Sequence, residues 1–170
     1  KNPKLKVPFL DSFPEEPFRR AAALGMTPDR VKGPFQVVPG IFSTGIVDGK
    51  PPEQSLVIET SQGAVMLVGC SHPGIVKLVE NAKEQRKKDS IALLLGGFHL
   101  LRKKPEEINQ IIGLLKQARV HTVLPAHCTG DDARDLFRLN YGKQFHEAGT
   151  GRQILLQDGK FTIRTLPKEK

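Results

Sequence analysis

The 170-residue chain has no tryptophan, one tyrosine and two cysteines, and it has no apolar run near the ~18 residues that would span a bilayer. Each scarcity closes off a class. Aromatics are 6% of the chain and do not interleave with basic residues, so the stacking platforms of single-strand nucleic-acid binders are missing and nucleic acid is not an expected partner. Nor is a membrane. Two cysteines without CxxC spacing, and without a secretory leader, do not make a disulfide framework. Cys70 and Cys128 are therefore expected to be reduced thiols of a cytoplasmic protein. The opening Lys1-Asn-Pro-Lys-Leu-Lys is basic but has no apolar segment behind it, unlike a signal peptide. A lysine in first place is what a piece or a processed product would carry.

Histidines are few as well, but their placement is ordered. Ala64-Val-Met-Leu-Val-Gly-Cys-Ser is an apolar run broken by Gly69 and followed by His72. Ile91-Ala-Leu-Leu-Leu-Gly-Gly-Phe leads to His99, and His121-Thr-Val-Leu-Pro-Ala leads to His127. Short apolar runs bounded by glycine read as buried strands. In open α/β sheets, ligands gather beyond the carboxyl ends of parallel strands. A single histidine there would be read as a structural residue. Three at equivalent positions point to a shared metal or substrate site, because imidazole is the commonest metal-binding side chain.

Composition is that of one globular domain with a core of its own, at 38% hydrophobic and 26% charged residues. Residues 1–34 are broken by Pro8, Pro14, Pro17, Pro28 and Pro34 and read as a connector with one brief helix near Arg19 to Leu24. Strands are expected over 35–38, 41–47, 54–60 and 64–68. Pro73 opens a helix to about residue 88, and a second helix covers 105–119, with Pro105, Glu106 and Glu107 suited to its start. Thr129, three residues before acidic Asp132, is expected to cap a third helix reaching Asn140. Further β-structure is expected over 144–147, 151–157 and 160–164, with Asp158-Gly159 as a hairpin turn. The tail, 166–170, is expected to fray. The net charge of +8 is scattered, its densest runs (86–88 and 102–104) flanking helices. It reads as a solvated face that also suits an anionic small molecule.

Gly69-Cys-Ser-His72-Pro-Gly-Ile-Val, Leu95-Gly-Gly-Phe-His99-Leu and Pro125-Ala-His127-Cys-Thr-Gly130 together resemble the C-terminal half of a metallo-β-lactamase-fold protein. The branch most resembled is that of dihydropterin-ribofuranosylaminobenzene 5′-phosphate synthase-like proteins. Glu53-Gln-Ser-Leu-Val and Pro39-Gly40 ahead of Thr44-Gly45 also match it. The resemblance implies an α/β fold class, with residues 35–165 forming the C-terminal half of an αββα sandwich. It also implies a rim holding one or two divalent ions, zinc first, with iron or manganese as alternatives. His72 would serve the first metal and His127 the second. The family's bridging Asp falls near Gly97, where this chain has none, so His99 becomes a substitute ligand or a substrate contact. Glu53, Ser71, His99 and Thr129 are the expected substrate-binding residues; no residue is assigned as catalytic.

The family's HxHxDH signature lies earlier in its chains. Here no histidine precedes His72 and no two histidines have HxH spacing. The expected function is the C-terminal part of a metal-dependent hydrolase or transferase. Its substrate would be an anionic, phosphorylated or pterin-like small molecule, with helix N-termini after Ser71 and Cys128 helping to hold it. The expected partner is an HxHxDH-bearing N-terminal half or partner subunit, without which the chain should bind metal weakly and be inactive. The alternative is a non-catalytic ligand- or partner-binding module derived from this fold.

Overall fold

The structure is a computed structural model and describes residues 5–166. It begins with a small unit of its own. Strand β1 (Lys6–Leu10) and strand β2 (Thr27–Val31) pair in parallel, joined by helix α1 (Glu15–Ala23). The prolines that argued against regular structure here all sit where their missing N–H is harmless. Pro8 and Pro28 lie in a two-stranded ribbon that is all edge, and Pro17 is in the first turn of α1. Segment 1–34, expected to carry one brief helix, therefore holds two strands and a longer helix. The connector reading extends to residues 1–4, and the frayed tail to 167–170; both stretches lie outside the described residues.

The main sheet has six strands. β3 (Phe35–Val38), β4 (Ile41–Ser43), β5 (Leu56–Thr60) and β6 (Gly63–Val68) form an antiparallel meander. The chain then changes direction of travel. Helix α2 (Ile75–Arg86) crosses over to β7 (Ile91–Gly97), and helix α3 (Pro105–Gln117) crosses to β8 (Val120–Ala126). These two strands run parallel to β6, and the sheet order is β3-β4-β5-β6-β7-β8. Helix α4 (Asp131–Tyr141) follows, and β9 (Arg152–Gln157) and β10 (Lys160–Thr165) close the chain as an antiparallel hairpin.

Strand alternation decides which residue faces which layer. Ala64, Met66, Leu94 and Val123 point to the helical face, where they meet Leu78 and Val79 of α2, Ile112 and Leu115 of α3, and Phe137 of α4. Val65, Leu93 and Leu124 point to the opposite face, against Ile154, Phe161 and Ile163 of the β9–β10 hairpin. Both faces of β6, β7 and β8 are thus apolar, which is why these strands read as unbroken apolar runs. The architecture is α/β, with a helix layer, a sheet and the beginning of a second β-layer, matching one half of an αββα sandwich. No helix among the described residues is long and apolar enough to cross a membrane.

Two boundaries differ from expectation. Pro73 lies outside its helix: Gly74, at φ 101°, makes the turn, and α2 starts at Ile75. Thr129 does not cap α4. It closes a single 3₁₀ turn (His127–Thr129), and Gly130 precedes the helix without a side-chain cap. The expected strand over 144–147 shrinks to one bridge between Phe145 and Val123.

Gly96 sets a limit on the sheet. Its φ is +131°, and a Cβ there would lie 2.1 Å from the Val68 carbonyl oxygen and 2.7 Å from Val68 Cγ2. Backbone cannot yield as a side-chain tip can. Gly96→Ala is expected to destabilise the fold by at least about 2 kcal/mol, the scale of an overpacked core with added φ strain. Urea unfolding monitored by circular dichroism would measure it, and an unchanged midpoint would contradict the packing described.

Candidate metal centre at the carboxyl ends of β6, β7 and β8

Because β6, β7 and β8 are parallel neighbours, their carboxyl ends share one edge. Backbone bonds stitch the three ends together. Gly97 N–H donates to the Gly69 carbonyl at 2.8 Å, and Leu100 and Leu101 N–H donate to the Cys128 carbonyl at 3.2 and 3.3 Å. Two buried hydroxyls complete the seam. Ser71 Oγ donates to the Gly97 carbonyl at 2.6 Å. Thr129 Oγ1 donates to the Ala126 carbonyl at 2.7 Å and accepts from Phe98 N–H at 3.1 Å. Ser71 is 1% and Thr129 0% exposed, and both hydroxyls are engaged with the backbone of the rim. The structure places these two expected substrate contacts as internal braces, where the short turns after β6 and β8 meet the end of β7.

Among the described residues, the non-glycine positions with positive φ are Ser71, Lys87, His99, Arg119, His127 and Asp158. Lys87 and Arg119 follow helices, and Asp158 is in the β9–β10 turn, where such backbone is ordinary. The other three lie one in each rim loop. Left-handed backbone in β-carbon residues costs of order 1 kcal/mol each and clusters at functional sites. Here it turns His99 and His127 away from their strands.

His72 and His99 meet directly, with ring centroids 4.5 Å apart. His72 is oriented by Glu53, whose carboxylate binds three groups of the β6 loop. It accepts from Ser71 N–H at 2.8 Å, from His72 N–H at 3.2 Å, and from the His72 ring at Nδ1. A carboxylate only accepts, so Nδ1 carries a proton, and in the neutral ring the lone pair is then at Nε2. This is the carboxylate–histidine arrangement that fixes the tautomer of metal-binding imidazoles. The side chain of Glu53, an expected substrate contact, is 13% exposed and is placed against His72. Its backbone is pinned by reciprocal bonds with Val47 at 2.8 and 3.1 Å. Nothing local in the sequence marks this role, since Glu53 and His72 are nineteen residues apart.

His127 lies with the cysteines instead. Its Nδ1 is 3.5 Å from Cys70 Sγ, and Cys128 Sγ is 3.4 Å from the Cys70 carbonyl oxygen. Both thiols are free and partly exposed. Burial, first, and then the Cys128 thiol and the Glu53 charge push the Cys70 thiol above its usual range. That disfavours a resting thiolate nucleophile. Beside these groups opens a cavity of about 520 Å³ lined by His99, Leu101, Arg102, Lys103, Glu107 and Cys128. Lys103 is paired with Glu107 at 3.1 Å, which leaves Arg102 as the cavity's uncompensated charge among the described residues. The start of α4 carries Asp131 and Asp132, so that helix end already has its negative charge and is a poor anion site. Imidazole nitrogens beside partly exposed thiols at one edge are a donor set that fits a borderline-soft divalent ion.

The chain has the metallo-β-lactamase fold. A solved metal-dependent hydrolase of the β-lactamase superfamily superposes with a TM-score of 0.68 at 24% identity, covering 86% of this chain and 62% of that one. An isothiocyanate hydrolase from Delia radicum gut bacteria superposes at 0.53 with 12% identity, covering 96% and 69%. In sequence, the chain is similar to the 7,8-dihydropterin-6-methyl-4-(β-D-ribofuranosyl)-aminobenzene-5′-phosphate synthase of Methanocaldococcus jannaschii. The two are 28% identical over 72% of this chain and 51% of the relative. An uncharacterised protein of the same organism is 38% identical over 39% of this chain and 24% of its own length. The chain thus spans about half the length of the first relative and about a quarter of the second. No family model matches it.

If Glu53 fixes the His72 tautomer, its removal should release it. Long-range ¹H–¹⁵N spectra are expected to show His72 protonated at Nδ1 in the parent and shifted toward Nε2–H in Glu53→Ala. Identical tautomers in the two proteins would remove Glu53 from the site.

Proposed function

We propose that the chain is the C-terminal part of a metal-dependent hydrolase or transferase that acts on an anionic, phosphorylated or pterin-like small molecule. The observation that carries this reading is the pairing of His72, oriented by Glu53, with His99, which lines a cavity whose unpaired charge among the described residues is Arg102. His72 and His99 on one side of the rim, and His127 on the other, are the residues that would hold one or two metal ions. A bound divalent ion, zinc first, supplies Lewis acidity and an activated water. The chain's own groups do the rest. Glu53 holds a His72 proton at Nδ1, which leaves Nε2 as the nitrogen available to a metal. Arg102 draws an anionic group into the cavity, and Leu101 offers an apolar wall to a ring system. The pterin-like substrate class leans on the name of the Methanocaldococcus relative, and hydrolysis on the solved structures. The HxHxDH-bearing half, on the same polypeptide or a partner, would complete the ligand set. A cytoplasmic setting suits two free thiols.

Extending the reading frame upstream of Lys1 is expected to disclose HxHxDH. The extended protein should keep near-stoichiometric divalent metal through gel filtration, measured by plasma mass spectrometry. His72→Ala and His127→Ala should each lower that content at least about twofold, as loss of one ligand from a three-ligand site requires. An extended protein that folds but holds no metal would overturn the enzyme reading in favour of a ligand-binding module.

A further inference from the structure

We propose that Cys70, His127 and Cys128 form a soft divalent-metal site of their own, with zinc as its ion and its fourth position open toward the cavity. The ligand atoms of these three residues all lie within 4.8 Å of one another. The one separation that is also a direct contact, Cys70 Sγ to His127 Nδ1, is 3.5 Å. A tetrahedron with Zn–S near 2.3 Å and Zn–N near 2.1 Å has a sulfur-to-nitrogen edge of about 3.6 Å. The Cys70 and His127 donors therefore already stand at ligand spacing, and the Cys128 donor lies within 4.8 Å of both.

Gly97 explains how the thiols come to be there. A Cβ at residue 97 would lie 2.8 Å from Cys128 Sγ and 3.3 Å from Cys70 Cα. No side chain can stand at that position while the Cys128 thiol fills it. The acidic ligand that the family resemblance expects near Gly97 is thus replaced in space by a sulfur from the next loop. Cysteines that serve only packing are among the most buried residues. These two are partly exposed at the rim, and Cys128 lines the cavity. Two thiolates and an imidazole favour zinc or cobalt over magnesium or calcium. Two cysteines and a histidine with one position left for water or substrate is a catalytic zinc pattern. Binding forms two metal–sulfur bonds and one metal–nitrogen bond and releases the two thiol protons to solvent. The proposal rests on the preceding reading only for a role of this ion in turnover, not for its binding.

Cobalt(II), a spectroscopic stand-in for zinc, tests it on the full 170-residue chain, reduced and without oxygen. Titration is expected to raise a sulfur-to-cobalt charge-transfer band in the near ultraviolet that added zinc abolishes. Cys70→Ser and Cys128→Ser should each weaken cobalt binding at least about tenfold, the lower bound for lesser, outer-shell partners of metal sites. His72→Ala should leave the band intact. Far-ultraviolet circular dichroism checks that each variant is folded. Zinc should also protect both cysteines of the parent from iodoacetamide, read by peptide mass. Cobalt that binds without the band would overturn this proposal while leaving the histidine-rim reading standing. Full affinity and band in either serine variant would overturn it too, as would no cobalt binding by the 170-residue chain; the histidine-rim reading would then still face its own test on the extended protein.

Discussion

The rim depends on the seam that ties the ends of β6 and β8 to the end of β7. Ser71 and Thr129 supply it from opposite sides, one through the Gly97 carbonyl and the other through the Phe98 N–H. A hydrogen bond of this kind contributes about 1 kcal/mol net, but leaving its buried partner unpaired costs about 1–3 kcal/mol. Both hydroxyls lie out of solvent, so water cannot replace them. The seam therefore holds three loops at one spacing, and every separation between rim side chains follows from it.

The same seam accounts for the strain beside it. Ser71, His99 and His127 adopt left-handed backbone although each carries a Cβ. Such conformations persist where surrounding bonds over-determine them. Here the surrounding bonds are the Gly69–Gly97 contact and the twin donation from Leu100 and Leu101 to the Cys128 carbonyl. The loops that carry the imidazoles and thiols are thus tied to one another through their backbones. Ties of this kind are what a metal site requires of its ligands, since ordering them at binding would cost affinity.

The rim also divides into two chemical environments. Glu53 brings a carboxylate to His72, whereas His127 has sulfur for neighbours. At Gly97 the missing side chain leaves room for the Cys128 thiol, 2.8 Å from where a Cβ would stand. The sheet behind them is indifferent to this division: its two faces are filled by helix residues on one side and by the β9–β10 hairpin on the other.

Much of the sheet was legible in the chain itself. The unbroken apolar runs before His72, His99 and His127 signal strands buried on both faces, and the intervening 3.6-residue periodicity signals crossover helices. Right-handed parallel crossovers then leave few ways to arrange them. That three histidines share an edge follows from this local information. Proline, by contrast, misleads where its surroundings are unseen: Pro8 and Pro28 look like breakers until they are found in a ribbon that has no interior strand. Thr129 looks like a helix cap because the spacing to Asp132 fits one, yet a tertiary partner, the Phe98 N–H, competes for its oxygen and wins. The partnership of Glu53 with His72 and the nearness of Cys70 to Cys128 were decided by tertiary structure alone. They join residues far apart in the chain, through loops whose directions are set by hydrogen bonds between strands. The sequence by itself determined which side chains reach the rim, because strand period and glycine position are local. Only the fold decided which of them touch, because contact depends on how three separate strand ends are sewn together.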